Sequence, residues 1–230
     1  MILTSEIEGK VLRFRDHLDK RNCILTFFAD FSEDSIDELL MRFNCPSVAL
    51  KVDDWNEELS PWRMPAIFGN DDFGDGAENT LEFILDRVIP LSVKELSLKD
   101  DTRFIIGGYS LAALFSLWSC FRTDRFFGVA AASPSVWFDG WIEYVGENYP
   151  KTEYVFLSLG DTESKTKNRY LSRVSDNINE THDIISQYLG EDHCELIWND
   201  GGHFKDVTER ASAAFEWILD RSIETYDPSE

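Results

Sequence analysis

The sequence predicts an α/β fold: a mostly parallel central sheet with helices on both of its faces. Three observations lead there. Short apolar runs alternate with segments of helical period almost from end to end. Several of those runs are apolar at nearly every position, as strands covered on both faces are. The segments between them are long enough to be crossover helices. At 230 residues, 43% hydrophobic and 13% aromatic, the chain has the size and composition of one large globular domain spanning 1–230.

The elements follow in order. CILTFFAD (23–30) reads as a buried strand. SEDSIDELLMRF reads as a helix: Ser35 and Glu38 have capping-box spacing, Ile36, Leu39, Leu40 and Phe43 form its apolar stripe, and Pro46 ends it. SVALKV (47–52) is the next strand. After a long loop, Leu81, Ile84, Leu85 and Val88 mark a helix stopped by Pro90. RFIIGG (103–108) is a strand and LAALFSLWSCF a helix; FFGVAAASPSV contains a strand, and YVFLSLG (154–160) and CELIWND (194–200) are two more. Between these last two, Leu171, Val174, Ile178, Ile185 and Leu189 share one helix face, with Gly190 as its C-terminal stop. The closing helix carries Val207, Ala211, Ala214, Phe215 and Ile218. Within residues 1–22, EIEGKVLRF reads as an antiparallel edge hairpin.

Composition narrows the partners. A net formal charge of −21 leaves no basic stripe for a phosphate backbone or an anionic membrane surface. The N-terminal stretch lacks a basic region followed by an apolar one, and no span approaches 18 apolar residues. Cys23, Cys45, Cys120 and Cys194 are scattered without CxxC spacing, the pattern of reduced, buried thiols in a cytoplasmic protein. The histidines and cysteines lack metal-ligand spacing, and no G-x-G-x-x-G follows the first strand. No metal or organic cofactor is expected, and the expected partner is a small molecule.

In open parallel sheets, reactive groups gather at the carboxyl ends of strands. That rule leaves residues 30–32, 53–55, 108–111, 133–137, 160–163 and 200–203. Among them, Gly108-Tyr109-Ser110-Leu111-Ala112 joins a strand to a helix through small residues, the layout that lifts a nucleophilic serine clear of a sheet. The helix start aims unpaired N–H groups at the reacting oxygen, and the Leu111 N–H is the natural first oxyanion donor. A serine needs a base, and of His17, His182, His193 and His203 only His203 follows a strand in a glycine-bearing loop, WNDGGHF. The orienting acid belongs between serine and histidine in the chain, where LSLGDTES offers Asp161 and Glu163. Each of these residues also has a plain structural reading: a turn serine, a helix-capping histidine, a solvated loop acid.

Gly-Tyr-Ser-Leu-Ala, SLGDTESKTKN and GGHF before the final helix together resemble the esterase D and enterochelin-esterase-like branch of the α/β-hydrolase superfamily, over about residues 23–220. The resemblance implies an α/β-hydrolase fold and a serine hydrolase acting on a small carboxylic ester or thioester through an acyl-serine. It favours Glu163 over Asp161 as the acid, because relatives place it three residues beyond the strand-ending glycine. It also implies a second oxyanion N–H after the first parallel strand, at Phe31. The chain departs from the pattern at Ala112, where glycine is usual, and at Asp30, whose charge would oppose an oxyanion unless it turns away or pairs with a cation such as Arg42 or Arg63.

Only WFDGWIEYVGENYPK separates two late strands, so no separate lid domain is expected. Trp55, Trp62, Phe68 and Phe73 in the long loop, Tyr109 beside the serine, and Trp137 are candidate walls of a substrate pocket. Two other functions fit the same residues: a catalytically silent binding protein of this fold, and an acyltransferase using the same triad.

Overall fold

The computed structural model describes residues 2–67 and 69–224. Eight strands form one sheet: β1 (Ile2–Ile7), β2 (Lys10–Arg15), β3 (Asn22–Phe28), β4 (Ser47–Lys51), β5 (Arg103–Tyr109), β6 (Phe126–Ala132), β7 (Tyr154–Gly160) and β8 (Cys194–Asn199). Their order is β1-β2-β4-β3-β5-β6-β7-β8. β1 and β2 form an antiparallel hairpin, with β1 at one edge of the sheet and β2 pairing antiparallel with β4; every later pairing is parallel.

Eight α-helices accompany the strands among the described residues: α1 (Glu33–Arg42), α2 (Trp55–Glu58), α3 (Ala77–Phe83), α4 (Ile89–Glu95), α5 (Leu111–Arg122), α6 (Trp141–Glu147), α7 (Val174–Leu189) and α8 (Val207–Glu224). The alternation of side chains along each strand divides the core in two. Leu25, Phe27, Phe104, Ile106, Val129 and Leu157 pack on the side of α3 to α7. Ile24, Phe28, Ile105, Ala130, Phe156 and the apolar stripes of α1 and α8 make the other cluster. All seven residues of β3, β6 and β7 are buried, which is why these strands read as unbroken apolar runs.

Gly107 faces α8, where a Cβ would lie 2.4 Å from the Ala130 carbonyl oxygen and 2.8 Å from Phe215 Cζ. At Gly108 a Cβ would lie 2.7 Å from that of Ala112. One glycine lets α8 close on the sheet, and the other lets α5 fold back on its own strand. Gly107→Ala should therefore cost about 1–3 kcal/mol by overpacking, read as a lowered urea midpoint. An unchanged midpoint would mean that α8 sits more loosely than described.

Two expectations are corrected. Pro90 does not stop its helix: α3 passes through a π turn at Ile84–Val88 into α4, with Pro90 in the first turn of α4. The widened turn accommodates the proline's missing N–H and its ring. Ser35 does not cap α1, which begins two residues earlier at Glu33. Asp30–Ser32 already coil as a 3-10 turn leading into it, and the Ser35 hydroxyl donates to the Ser32 carbonyl. All four cysteines are free and buried; burial pushes the Cys45 and Cys194 thiols up to about 12. No described helix is long and apolar enough to cross a membrane.

Candidate active site

The carboxyl ends of β5, β6, β7 and β8 bring the site together. Ser110 sits at the turn between β5 and α5 with φ 60° and ψ −119°, a backbone state that costs a residue with a Cβ about 1–3 kcal/mol. The packing around it holds the turn: Ser110 N–H donates to Ala132 O at 3.2 Å, and Ser110 O accepts from Leu114 N at 3.0 Å and Ser135 N at 3.1 Å. The Ser110 hydroxyl lies 3.0 Å from His203 Nε2 and 3.3 Å from the Ser135 hydroxyl.

His203 comes from the loop after β8, and its Nδ1 lies 2.7 Å from Glu163 Oε2. A carboxylate can only accept from Nδ1–H, so Nε2 is left to accept the serine proton. Glu163, three residues past the end of β7, is only 5% exposed at its side chain. Its second oxygen, Oε1, accepts from Gly160 N at 2.7 Å and Ser133 Oγ at 2.8 Å, with Arg210 Nη1 at 3.4 Å. Burial works against the charge. The bonds from His203, Gly160 and Ser133 outweigh it and hold the carboxyl below its ordinary value. This is a relay of serine, imidazole and carboxylate able to move a proton away from Ser110.

Asp161, the other acid, is exposed, and its Oδ1 accepts from Gly201 N at 2.8 Å. It braces the histidine loop and does not reach the imidazole. The other histidines lie elsewhere: His182 beside Cys194 O and Ser186, His193 stacked on Tyr154, and His17 in a turn with Asp19.

Leu111 opens α5, and Phe31 lies in the 3-10 turn after β3; both line the same cleft as Ser110. The first N–H groups of a helix have no intrahelical acceptor, so Leu111 N–H stands beside Ser110 with the positive end of α5 behind it. Asp30 does not threaten this region. Its side chain is 84% exposed and pairs with Lys51 at 2.7 Å. Neither expected partner is involved, because Arg42 is held by Glu38 and Glu209, and Arg63 by Asp75.

The cleft has a volume of about 780 Å³ and is mainly apolar. Trp55, Phe73, Tyr109, Trp137, Leu171 and Val174 line it. Two further rings stand at its mouth: Phe31, edge-to-face on Trp55, and Phe204, edge-to-face on His203 and 90% exposed. Trp62 is not a wall. Its indole N–H donates to Asp139 O at 2.8 Å and its ring packs on Phe138 and Tyr144, because the loop turns that face inward to clip onto α6. Phe68 lies outside the described residues.

Sequence reading missed Arg210. It is 4% exposed and contacts Glu163, Tyr109 and the histidine loop. A signal existed: position 210 falls on the same face of α8 as Val207 and Ala214, where an arginine is out of place unless paired. Ser133 and Ser135 were legible only as members of a strand-end segment. Among the described residues, no group of three or more His, Cys, Asp or Glu side chains could hold a metal ion.

The strand order, the strand–turn–helix join at Ser110 and the convergence of Ser, Glu and His loops on one rim define an α/β-hydrolase fold. No family model matches the chain, and no curated protein does. Solved structures share the fold. The siderophore hydrolase EstA from Aspergillus nidulans is 17% identical with a TM-score of 0.74, over 96% of this chain and 94% of that one. An IroE-like serine hydrolase from Shewanella oneidensis is 13% identical with a TM-score of 0.70, over 97% and 79%. The enterobactin esterase FES from Shigella flexneri is 15% identical with a TM-score of 0.67, over 99% and 60%.

Proposed function

We propose that this protein hydrolyses small carboxylic esters or thioesters through an acyl-enzyme on Ser110. The observation that carries the reading is the unbroken chain from Ser110 Oγ to His203 Nε2 at 3.0 Å and from His203 Nδ1 to Glu163 Oε2 at 2.7 Å. Ser110 Oγ attacks the acyl carbon while Nε2 takes its proton, and Glu163 stabilises the resulting imidazolium. The backbone N–H groups of Leu111 and Phe31 receive the developing oxyanion. Nε2–H then protonates the leaving alcohol or thiol, and water repeats the sequence in reverse on acyl-Ser110. That several fold neighbours are named as esterases or serine hydrolases supports an ester as the bond broken. The outward turn of Asp30 removes the main argument for a silent binding protein. Four buried free thiols support a reducing, cytoplasmic setting.

The apolar cleft sets an expectation for the acyl group. Across nitrophenyl esters from acetate to hexanoate, kcat/KM should rise by up to about fourfold per methylene, the worth of burying one CH₂. Steady-state kinetics on the series checks it. Activity that is flat or falling with chain length would put the acyl chain outside the cleft, and no turnover of any ester would reject the hydrolase reading.

A further inference from the structure

Arg210 is a cation in the driest part of the site, its side chain 3% exposed. Its two terminal nitrogens divide between the loop and the acid. Nη2 donates to Asp200 O at 2.9 Å, and Nη1 lies 3.2 Å from Gly202 O and 3.4 Å from both Glu163 Oε1 and Tyr109 Oη. Tyr109 Oη in turn donates to His203 O at 2.6 Å. Three carbonyls of the loop that carries the histidine, those of Asp200, Gly202 and His203, are therefore bound by Arg210 and by the residue next to Ser110.

The slot for this head is built into the backbone. At Gly160 a Cβ would lie 3.0 Å from Arg210 Nη1, 2.9 Å from Glu163 Oε1 and 2.3 Å from Gly201 O. Only a residue without a side chain lets acid, guanidinium and histidine loop meet there. Asp161 adds a second brace from the same turn to Gly201 N.

We propose that Arg210 is the positioning residue that locks the 200–203 loop to Glu163 and so sets the imidazole at Ser110. It touches no reacting atom and acts through His203 and Glu163. A planar fork can serve two carbonyls and a carboxylate at once, whereas a lysine ammonium supplies the charge without that spread. The kinetic part rests on the hydrolase reading; the loop-locking part does not.

The test compares wild type with Arg210→Lys and Arg210→Met, counting reactive serines by fluorophosphonate titration and following amide hydrogen exchange across the chain. For Arg210→Lys, kcat per titrated site should fall about ten- to a hundredfold with KM within about twofold, since misplacing a catalytic group by 1 Å costs that order. Exchange at 200–204 should quicken by at least about tenfold while β5 and β7 stay protected. Arg210→Met, if it folds, should show the same pattern more strongly; if it does not, Arg210→Lys decides. Wild-type kcat per site with unchanged exchange at 200–204 overturns the proposal. So does exchange raised uniformly with fewer titratable sites of normal kcat, which is a structural role alone. If wild-type protein cleaves no ester, the hydrolase reading fails, and exchange in Arg210→Lys still decides the lock: quickening confined to 200–204 supports it, and unchanged or uniformly raised exchange overturns it.

Discussion

Ser110→Ala should lose ester hydrolysis by at least about a thousandfold in kcat, leaving the fold intact. The substitution deletes one oxygen and its contacts with His203 and Ser135. It keeps the Cβ, and with it the strained backbone at φ 60°, so stability should change by less than about 1 kcal/mol. Ser110→Gly is the informative companion. It removes the same oxygen but relieves the strained turn, so it should be equally inactive and more stable by about 1 kcal/mol or more. Kinetics on nitrophenyl esters and urea titration check both variants together. Residual activity within tenfold of wild type would remove Ser110 from the chemistry.

Glu163→Gln should show two large effects at once. Turnover should fall by about a thousand- to ten-thousandfold, because a neutral amide no longer enforces the Nδ1–H tautomer or balances the imidazolium. Stability at pH 7 should fall by about 3–5 kcal/mol, the cost of breaking a buried pair and leaving one ion alone. Here the ion left alone is Arg210, and the amide NH₂ would also face the donors Gly160 N and Ser133 Oγ. The sign with pH follows from the lowered carboxyl. Its folded-state value lies below the ordinary 4.5, so its contribution is complete above 4.5 and is lost as pH falls through the folded value. The gap between wild type and Glu163→Gln should therefore narrow as pH falls from 4.5 through the folded-state value, as read by urea unfolding across pH. A constant difference at all pH values would assign the loss to packing.

The convergence of residues at the rim was legible because backbone constraints write themselves into sequence. Gly107 and Gly108 mark two close approaches, to α8 and within the elbow, and Gly160 and Gly201 mark the turns that let acid and histidine loops meet. Strand ends followed by polar residues then picked out Ser110, His203 and the pair Asp161 and Glu163, between which the family resemblance favoured Glu163. What stayed hidden depends on orientation across the tertiary structure. Nothing local distinguishes Trp55, which lines the cleft, from Trp62, which clips onto α6. Asp30 finds Lys51 because β3 and β4 are parallel neighbours, a pairing that only the sheet order reveals. The passage through Pro90 depends on a π turn without a sequence mark of its own, and Arg210 was visible only as a charge on an apolar face.

The central claim is that Ser110 is a nucleophile activated by His203. It is tested most directly by incubating folded protein with a fluorophosphonate and locating the adduct by peptide mass spectrometry. The account predicts a single adduct on Ser110, formed rapidly in wild type and at least about a hundredfold more slowly in His203→Ala. Folded wild-type protein that stays unlabelled, or labels on another serine, would contradict it.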